Sequence, residues 1–308
     1  MNKQLTNRTF PSFEHIPVYE RFQWLNHPRV VDILSRFLRP PRRGRKGYDK
    51  VLMFRWLMYK QLMGCSYRDL ESMTGIDHTT FIKFRKRLME KVWFPHIFQR
   101  LTSTIAKHLP VITAILDSSF VETYSRHDEE GSEYSGYKEK NGFKLHQMID
   151  YDTRLPILQT STGGARADVI LGQALIDRAP PHWKVKGLAA DKGYDSEHFV
   201  HKIKMKWKKA LIAIPTRRIP SRNTERSRQR RGLERTHNPQ LYKKRTGIER
   251  YFSRKKRVFR LGEEKTRHLK NFRAHCYLTS LMEILEWASK SPLLHALFSR
   301  LHEQCLTS

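Results

Sequence analysis

The sequence predicts an α/β fold, a sheet layered with helices, preceded by an all-helical region, and three observations support this. Up to about residue 105 the apolar residues recur at helical spacing, and after it β-branched runs alternate with helix-compatible segments. The predicted order after residue 105 is β-β-β-α-β-α-β-α, which is typical of layered α/β proteins. The chain has 308 residues, enough for one large or two ordinary domains with a hydrophobic core.

Residues 1–46 are predicted to form an N-terminal helical segment followed by a basic linker. The linker contains two consecutive prolines, which break the helical pattern. Arg43 and Arg45 in this linker flank Gly44, and such a pattern can enter a narrow DNA minor groove because glycine keeps the backbone thin. The alternative is a solvated linker that touches only phosphates.

Residues 47–105 are predicted to form a helix-turn-helix region. Ser66 and Asp69 can form a capping box that opens the first helix of the pair. Gly75 can supply the turn, and Asp77 can cap the second helix. The apolar residues expected to face inward are Leu70, Met73, Ile76, Phe81, Phe84 and Leu88.

The second helix of this region carries the side chains expected to face outward and contact DNA. In helix-turn-helix proteins the second helix enters the major groove, where its first residues meet base edges. The candidate DNA-binding residues are Thr79, Lys83, Arg85, Lys86 and Arg87. The alternative is that the two helices are only a packing unit.

Residues 106–308 are predicted to form the α/β domain, with a basic loop at 216–240 and C-terminal helices. The strands are predicted at 111–117, 144–150, 156–161, 185–191 and 210–215, and the helices between them at 168–179 and 196–205. The first and fourth strands end on Asp117 and Asp191. The first three strands are expected to form a meander.

A helix after the basic loop is predicted to bring four polar side chains together. At about 100° per residue, offsets of 3, 7 and 14 place them within an arc of about 60°. They are a phenol, a guanidinium, a carboxylate and an ammonium, on Tyr242, Arg245, Glu249 and Lys256. An adjoining apolar stripe can pack on the sheet; its residues are Ile248, Phe252 and Phe259.

The composition indicates a polyanionic partner and a reduced compartment. The chain has 59 Lys+Arg against 30 Asp+Glu, a formal charge of +29, which favours DNA as the partner. No apolar run of about 18 residues and no signal-peptide pattern is found, so we expect no membrane contact. Cys65, Cys276 and Cys305 form no metal motif or disulfide framework. We therefore expect a soluble, cytoplasmic protein.

Asp117, Asp191 and Glu249 are the candidate catalytic and metal-binding residues. Cutting or transferring a phosphodiester needs an attacking oxygen in line with a leaving oxygen, and two divalent ions about 4 Å apart stabilise both. Magnesium prefers oxygen ligands, so three carboxylates suffice for two Mg²⁺ ions, with Mn²⁺ as a substitute. A single aspartate at a strand end is more often a helix cap or part of a turn. The three carboxylates together, with the polar helix, favour the metal site.

Three segments resemble the DDE transposases of bacterial insertion sequences. They are residues 115–119 (Ile-Leu-Asp-Ser-Ser), residues 190–196 (Ala-Asp-Lys-Gly-Tyr-Asp-Ser) and the Tyr-x2-Arg-x3-Glu-x6-Lys signature that ends at Lys256. Residues 136–138 (Gly-Tyr-Lys) and 142–145 (Gly-Phe-Lys-Leu) match the lysine-rich segment that leads into the second strand in this family. The resemblance extends from about residue 48 to about residue 280. One departure is Ala167, where relatives often have a histidine before the aspartate.

The resemblance implies a ribonuclease-H-like core, a mixed sheet flanked by helices. It implies that Asp117, Asp191 and Glu249 form the metal-binding triad. It also implies that three further residues hold phosphates of the transposon end, namely Tyr242, Arg245 and Lys256. The implied place of action is the bacterial nucleoid.

The function expected from these features is that of an insertion-sequence transposase. The protein would bind the terminal inverted repeats of double-stranded DNA, cut them, and join the 3′-hydroxyl ends to target DNA by a cut-and-paste route. Because one site must act on two ends, a homodimer on DNA is expected. The alternatives are a nuclease on the same core without strand transfer, and a domesticated or inactive transposase that only binds DNA.

Two further groups of residues are weaker candidates. His198 and His201 are three residues apart, and we interpret them as surface histidines of a helix. Trp183 and Trp207 could stack on an extruded base, with packing in a core or an interface as the alternative.

Overall fold

The computed structural model describes residues 22–38, 47–109, 111–123, 130–180, 182–216, 238–263, 268–292 and 296. Arg43, Arg45 and the greater part of the predicted basic loop lie outside the described residues. The described residues fall into two units. The helical unit contains those up to Phe98 and those from Leu278 onward, and the sheet unit is Gln99–Tyr277. No described helix is long and apolar enough to cross a membrane.

The elements of the described chain alternate between helices and strands as predicted, with a short strand added. The helices are α1 (Pro28–Phe37), α2 (Lys50–Met63), α3 (Tyr67–Thr74), α4 (His78–Glu90), α5 (Trp93–His108), α6 (Asp168–Arg178), α7 (Glu197–Lys206), α8 (Pro239–Lys243), α9 (Thr246–Val258) and α10 (Leu269–Lys290). The strands are β1 (Ile112–Glu122), β2 (Glu133–Ser135), β3 (Lys140–Asp150), β4 (Pro156–Gly163), β5 (Val185–Ala190) and β6 (Leu211–Ala213). The added strand is β2.

The strands form one mixed sheet in which β1 is central. Its order is β2-β3-β1-β5-β6, and β4 also pairs with β3. The pairs β1–β3 and β3–β4 are antiparallel, as the predicted meander requires, whereas β1–β5 and β5–β6 are parallel. The parallel pairs are connected through α6 and α7, because parallel neighbours need a crossover between them. A mixed sheet flanked by helices is therefore confirmed.

Side chains of β1 alternate between two hydrophobic cores, one on each face of the sheet. Ile112, Ala114 and Leu116 belong to the core that also contains residues of α6 and α7. Ile115 and Val121 belong to the opposite core, which contains residues of α9 and the first turns of α10. This alternation follows from the period of two in a β-strand. The central strand is thus covered on both faces.

The predicted pair of helices in the helical unit is α3 and α4, and its predicted caps are confirmed. Ser66 and Asp69 form a capping box at the start of α3. Gly75 ends this helix with a φ of 70°, a left-handed conformation that glycine adopts without strain. Asp77 caps α4 by accepting from the backbone N–H of Thr79.

Two orientations predicted for this pair are wrong. Met73 was expected to face inward but is 46% exposed. Arg85 was expected to face DNA but is 7% exposed, and its guanidinium donates to the Tyr67 hydroxyl at 3.2 Å. Arg85 lies four residues after buried Phe81, on the inner face of α4, so helix geometry explains its burial. The long side chain fills this face with its methylene groups, and its Nη1 is bonded to Tyr67.

Candidate functional site

Asp117 and Asp191 lie side by side because β1 and β5 are parallel neighbours. The last paired residues are Leu116 and Ala190, and the two aspartates follow them directly. Neighbouring strands are about 4.8 Å apart, so the register brings both carboxylates to one place. Asp191 follows the end of β5, as predicted, and accepts from the backbone N–H of Lys192 at 2.7 Å. The prediction that Asp117 ends its strand is wrong, because β1 continues to Glu122.

The third predicted carboxylate, on Glu249, comes from a segment that is two helices and not one. Helix α8 ends at Lys243 and α9 begins at Thr246. Between them the backbone turns through i→i+3 hydrogen bonds, such as that from the N–H of Arg245 to the carbonyl of Tyr242 at 2.9 Å. The predicted continuous helix is therefore wrong, although Tyr242, Arg245 and Glu249 remain within two turns of each other.

The packing of α8 and α9 positions this segment. Leu241 of α8 packs with Ala189 and Ala213 of β5 and β6. Ile248 and Phe252 of α9 are buried in the core that contains β1 and β3, which confirms the predicted apolar stripe. Because both helices are anchored on the sheet beside β1 and β5, the polar side chains of this segment reach the aspartates.

Arg245 connects the carboxylates of the site. Its guanidinium donates to Oδ2 of Asp117 at 3.4 Å and to Oε1 of Glu249 at 2.5 Å. It also lies 5.8 Å from the ring centroid of Tyr242. Burial lowers the pKa of Arg245, but the charges of Asp117, Tyr242, Asp191 and Glu249 outweigh burial and raise that pKa overall. Arg245 thus stays charged and neutralises part of the acidic site.

Asp117 is the most perturbed carboxyl of the site. Its pKa is raised to about 6, mainly by burial, and the nearby charges of Asp191 and Asp168 act in the same direction. The backbone N–H of Ser118 and the Arg245 guanidinium act in the opposite direction. Crowding of partly buried carboxylates is relieved when a cation binds, because the cation neutralises their mutual repulsion.

Lys256, the last residue of the signature, lies along β1 from the carboxylates. Its ammonium donates to the carbonyl of Phe120, three residues after Asp117 in the same strand. Three residues of a strand span about 10 Å. Burial and the charge of Lys138 lower the pKa of Lys256. The structure therefore brings the first three signature residues to the aspartates and directs the fourth to an adjoining groove.

Asp168 is a fourth carboxylate near the site, and the sequence reasoning missed this. Its Oδ1 accepts from the Ser118 hydroxyl and from the Lys144 ammonium, both at 3.1 Å. The Nδ1 of buried His146 lies 3.6 Å from the same oxygen, too far for a hydrogen bond. In the sequence Asp168 was visible only as an acidic residue at a helix start, a common pattern that favours the helix dipole.

Tyr194 is fully buried beside the carboxylates. Burial, followed by the charges of Asp168, Asp117 and Asp191, raises its pKa well above the usual tyrosine value. Its hydroxyl is a buried donor for which no hydrogen-bond partner is found in the described structure. Gly172 of α6 makes room for the ring, since a Cβ there would lie 2.9 Å from Tyr194 ring atoms. The phenol of Tyr194 therefore stays protonated.

The donor atoms of the triad suit a hard divalent cation, because all three side chains offer carboxylate oxygens. Their present spacing is wider than a closed metal site. Among the described residues, a group whose ligand atoms all lie within 4.8 Å of one another occurs at Glu71, Asp77 and His78, and not at the triad. The guanidinium of Arg245 explains the triad's spacing, because it bonds to Asp117 and Glu249.

The group at Glu71, Asp77 and His78 is on the partly exposed surface of the helical unit and has local structural roles. Glu71 and the His78 ring are paired at 2.7 Å, which ties α3 to α4. Asp77 accepts from the backbone N–H and the hydroxyl of Thr79 at the start of α4. These contacts account for the proximity of the three side chains.

The remaining predicted site residues divide into exposed and buried sets. Thr79, Lys83, Lys86 and Arg87 are exposed on α4, as a DNA-contacting face requires. His198 and His201 are exposed on α7, in agreement with a surface role. Trp183 and Trp207 are buried in the core of the sheet unit, which confirms the expectation of packing and excludes stacking on an extruded base. Their rings are covered by apolar neighbours and present no free face.

The sequence and the structure were compared with known proteins. Residues 112–283 match the model of the transposase DDE domain family. A search of curated protein sequences finds no significant match. Among solved structures, a similar one is the cryo-EM structure of a piggyBac transposase synaptic complex with hairpin DNA, at 14% identity and a TM-score of 0.38. That alignment covers 68% of this chain and 52% of the other, so this chain spans about half the length of that protein.

The family match includes Asp117, Asp191, Glu249 and every strand of the mixed sheet. It spans more than half of the chain and confirms the relationship that the motifs predicted. The chain therefore belongs to the transposase DDE domain family.

Proposed function

We propose that this transposase binds the terminal inverted repeats of an insertion sequence and performs metal-dependent strand cleavage and strand transfer by a cut-and-paste route. The arrangement of Asp117, Asp191 and Glu249 is the observation that carries the proposal. Two of these carboxylates are neighbours on parallel strands, and Arg245 links the third to them. Carboxylates beside a guanidinium suit a reaction in which metal ions and a phosphodiester meet.

The proposed domain organisation keeps the three segments expected from the sequence. Residues 106–308 would contain a ribonuclease-H-like catalytic core, which agrees with the antiparallel meander β1–β3–β4 followed by parallel β5 and β6. Residues 47–105 would be the helix-turn-helix region, and residues 1–46 the N-terminal segment with its basic linker. The helical order and the caps of α3 and α4 support the middle assignment.

In the proposed mechanism Asp117, Asp191 and Glu249 would hold two Mg²⁺ ions, which Mn²⁺ could replace. When bound, such ions activate the attacking oxygen and stabilise the leaving oxygen. Arg245 would hold a phosphate of the DNA, a group that its planar guanidinium binds well. The buried Tyr194 hydroxyl stays protonated and donates to an oxygen in the site. Tyr242 keeps the guanidinium of Arg245 in place through its ring.

The proposed DNA contacts lie on two described elements and one linker. The exposed residues of α4 would approach the terminal repeats, and they are Thr79, Lys83, Lys86 and Arg87. Tyr242, Arg245 and Lys256 would hold the cleaved end near the carboxylates. Arg43 and Arg45 would follow the minor groove from the linker. Buried Arg85 is left out of this set, because it cannot reach DNA while it packs against Tyr67.

Cleavage of labelled DNA that carries the sequences flanking the gene tests the proposed chemistry. Wild-type protein should cut at the element ends when Mg²⁺ is present, and Glu249→Ala should bind the same DNA without cutting it. Glu263→Ala is the matched control, because Glu263 is paired with Arg260 and not with Arg245. Cutting by Glu249→Ala at the wild-type rate would rule out the metal assignment.

A second assay separates the transposase from a nuclease on the same core. Precut ends with a free 3′-hydroxyl are mixed with plasmid DNA, and only an enzyme that transfers strands joins them. Joined products support the proposal, whereas cutting without joining identifies a nuclease. Tight binding with neither activity identifies a protein that only binds DNA.

The proposed assembly is a homodimer on DNA, because one active site must act on each of two ends. Size-exclusion chromatography with light scattering on the end-bound complex should give the mass of two chains. A complex that contains only one protein chain bound to the pair of DNA ends would contradict the dimer.

A further inference from the structure

A groove of about 550 Å³ follows the second half of β1, directly after Asp117. Residues 118–122 form its floor, and the ammonium groups of Lys138, Lys140 and Lys256 lie along its walls. From Asp117 to Glu122 the strand spans about 17 Å, comparable to roughly five stacked nucleotides at about 3.4 Å each. The groove therefore leads away from the proposed catalytic carboxylates, along a path that a short nucleic-acid strand can occupy.

The groove carries a surplus of positive charge. Lys140 is paired with Glu122 at 2.7 Å, so these two charges offset each other. Lys256 donates to the carbonyl of Phe120, an uncharged group, and the charge of Lys138 lowers the pKa of Lys256. The two ammonium groups repel each other, and an anion between them would relieve this repulsion. A phosphate oxygen placed between them would accept from both ammonium groups.

Tyr137 stands beside this groove with its ring in solvent. The ring is 89% exposed, and the ammonium of Lys138 lies 4.8 Å from its centroid. The turn that presents it is held by the backbone N–H groups of Lys138 and Glu139, which both donate to the carbonyl of buried Ser135. An aromatic ring held at this position adds nothing to the packing of the chain, but it offers a flat apolar face next to a phosphate-binding site.

We propose that the groove binds an unpaired DNA strand next to the cleaved bond, with phosphates on Lys138 and Lys256 and a base stacked on Tyr137. The strand must be unpaired because a base in a duplex is already covered on both faces by its neighbours. Lysine contacts along the backbone combined with aromatic stacking are the usual means of binding single strands without sequence preference. This assignment rests on the proposed function, since it places the strand against the catalytic carboxylates.

Fluorescence anisotropy with two DNA probes tests the groove apart from the chemistry. The first probe is a labelled duplex of the element end, and the second is the same duplex with an extension of eight thymidines. Titrations use the full-length protein in EDTA, so that no strand is cut. Wild-type protein should bind the extended probe about tenfold more tightly than the blunt one, as one stacked base and its phosphate contacts predict.

Four substitutions in the same hairpin are matched to each other. Tyr137→Ala should remove the tenfold preference for the extension, and Tyr137→Phe should keep it, because stacking needs only the ring. Tyr134→Ala is the control, since Tyr134 is 57% exposed in the same hairpin, whereas the groove residue Lys138 contacts the ring of Tyr137. Lys138→Ala should lower the slope of log affinity against log salt by about 0.7 for the extended probe.

The outcomes either support the groove or overturn it. Equal binding of both probes by wild-type protein, an unchanged preference in Tyr137→Ala, or an equal loss in Tyr134→Ala would each overturn the assignment. A loss of affinity for both probes in Tyr137→Ala would do the same, since it would place Tyr137 on duplex DNA. The proposed chemistry is tested separately, by the cleavage assay. If Glu249→Ala still cuts DNA, the metal assignment fails, but the measured preference for the extended probe is unaffected.

Discussion

Arg245 holds two of the proposed metal-binding carboxylates, and its replacement by glutamine tests whether it competes with the metal. The guanidinium bonds to Asp117 and to Glu249 in the structure. A metal ion needs the same oxygens, so Arg245 must release them before the ion binds. We therefore expect Arg245→Gln to bind Mn²⁺ more tightly than wild-type protein when DNA is absent, and to bind element ends more weakly.

The expected size of this effect follows from the exposure of the two pairs. Asp117 and Arg245 have side chains that are each 19% exposed, and a charge-assisted hydrogen bond there contributes about 1.5 kcal/mol. The Glu249 side chain is 56% exposed, so its pair with Arg245 contributes only about 0.5 kcal/mol. Releasing both costs about 2 kcal/mol, which corresponds to Mn²⁺ binding about 30-fold tighter in the variant.

Electron paramagnetic resonance of free Mn²⁺ gives the dissociation constant of each variant. Loss of Arg245 removes a charge that lowers the pKa of Asp117, so that pKa rises above its present value of about 6. Measurement at about pH 8.5 keeps this carboxyl ionised in both proteins. Lys256→Gln is the matched control, since it removes one positive charge from α9 whose ammonium contacts the Phe120 carbonyl and no carboxylate of the triad. Equal or weaker Mn²⁺ binding by Arg245→Gln would refute the competition.

Three more predictions test other parts of the molecule. Lys83→Ala combined with Arg87→Ala should weaken binding to the element end and reduce the salt slope by about 1.8 for two lost phosphate contacts; unchanged affinity and slope in a filter-binding titration would exclude α4 as a DNA-contacting helix. Asp168→Ala should slow cleavage about tenfold and leave DNA affinity unchanged, as for residues that orient catalytic groups; Asp177→Ala, on the outer face of the same helix, should have wild-type rates. His146 is buried and its pKa is lowered to about 4, first by desolvation. In the unfolded chain His146 takes up a proton near pH ~6.5, whereas in the folded chain it does not. The free energy of unfolding should therefore fall as the pH drops from about 6.5 to 4. His146→Gln should flatten this fall in urea titrations, and an identical pH profile would contradict the assignment.

Local features of the sequence predicted many elements correctly because their causes lie within a few residues. The capping box of Ser66 and Asp69 and the left-handed Gly75 require only short-range hydrogen bonds and the lack of a Cβ. The apolar stripe of Ile248 and Phe252 follows from the helical period alone. These predictions needed no knowledge of the rest of the chain.

Other predictions failed where a distant contact overrides the local pattern. The extension of β1 past Asp117 depends on pairing with β3, whose register continues to Glu122 opposite Gly142. The break between α8 and α9 arises where α8 packs on β5 and β6 while α9 packs on the core of β1 and β3. No spacing within residues 242–256 contains that information.

By itself, the sequence determined the family, and it predicted the three carboxylates and their neighbours Tyr242 and Arg245, because these are chemical types in a recognisable order. Only the tertiary structure decided which atoms meet. It placed Asp117 beside Asp191 through the β1–β5 register. It also brought Asp168 to the site, where its Oδ1 accepts from the Ser118 hydroxyl. The reason is physical: residue type and local spacing are properties of short segments, whereas strand register, burial and charge pairing depend on packing between segments far apart in the chain.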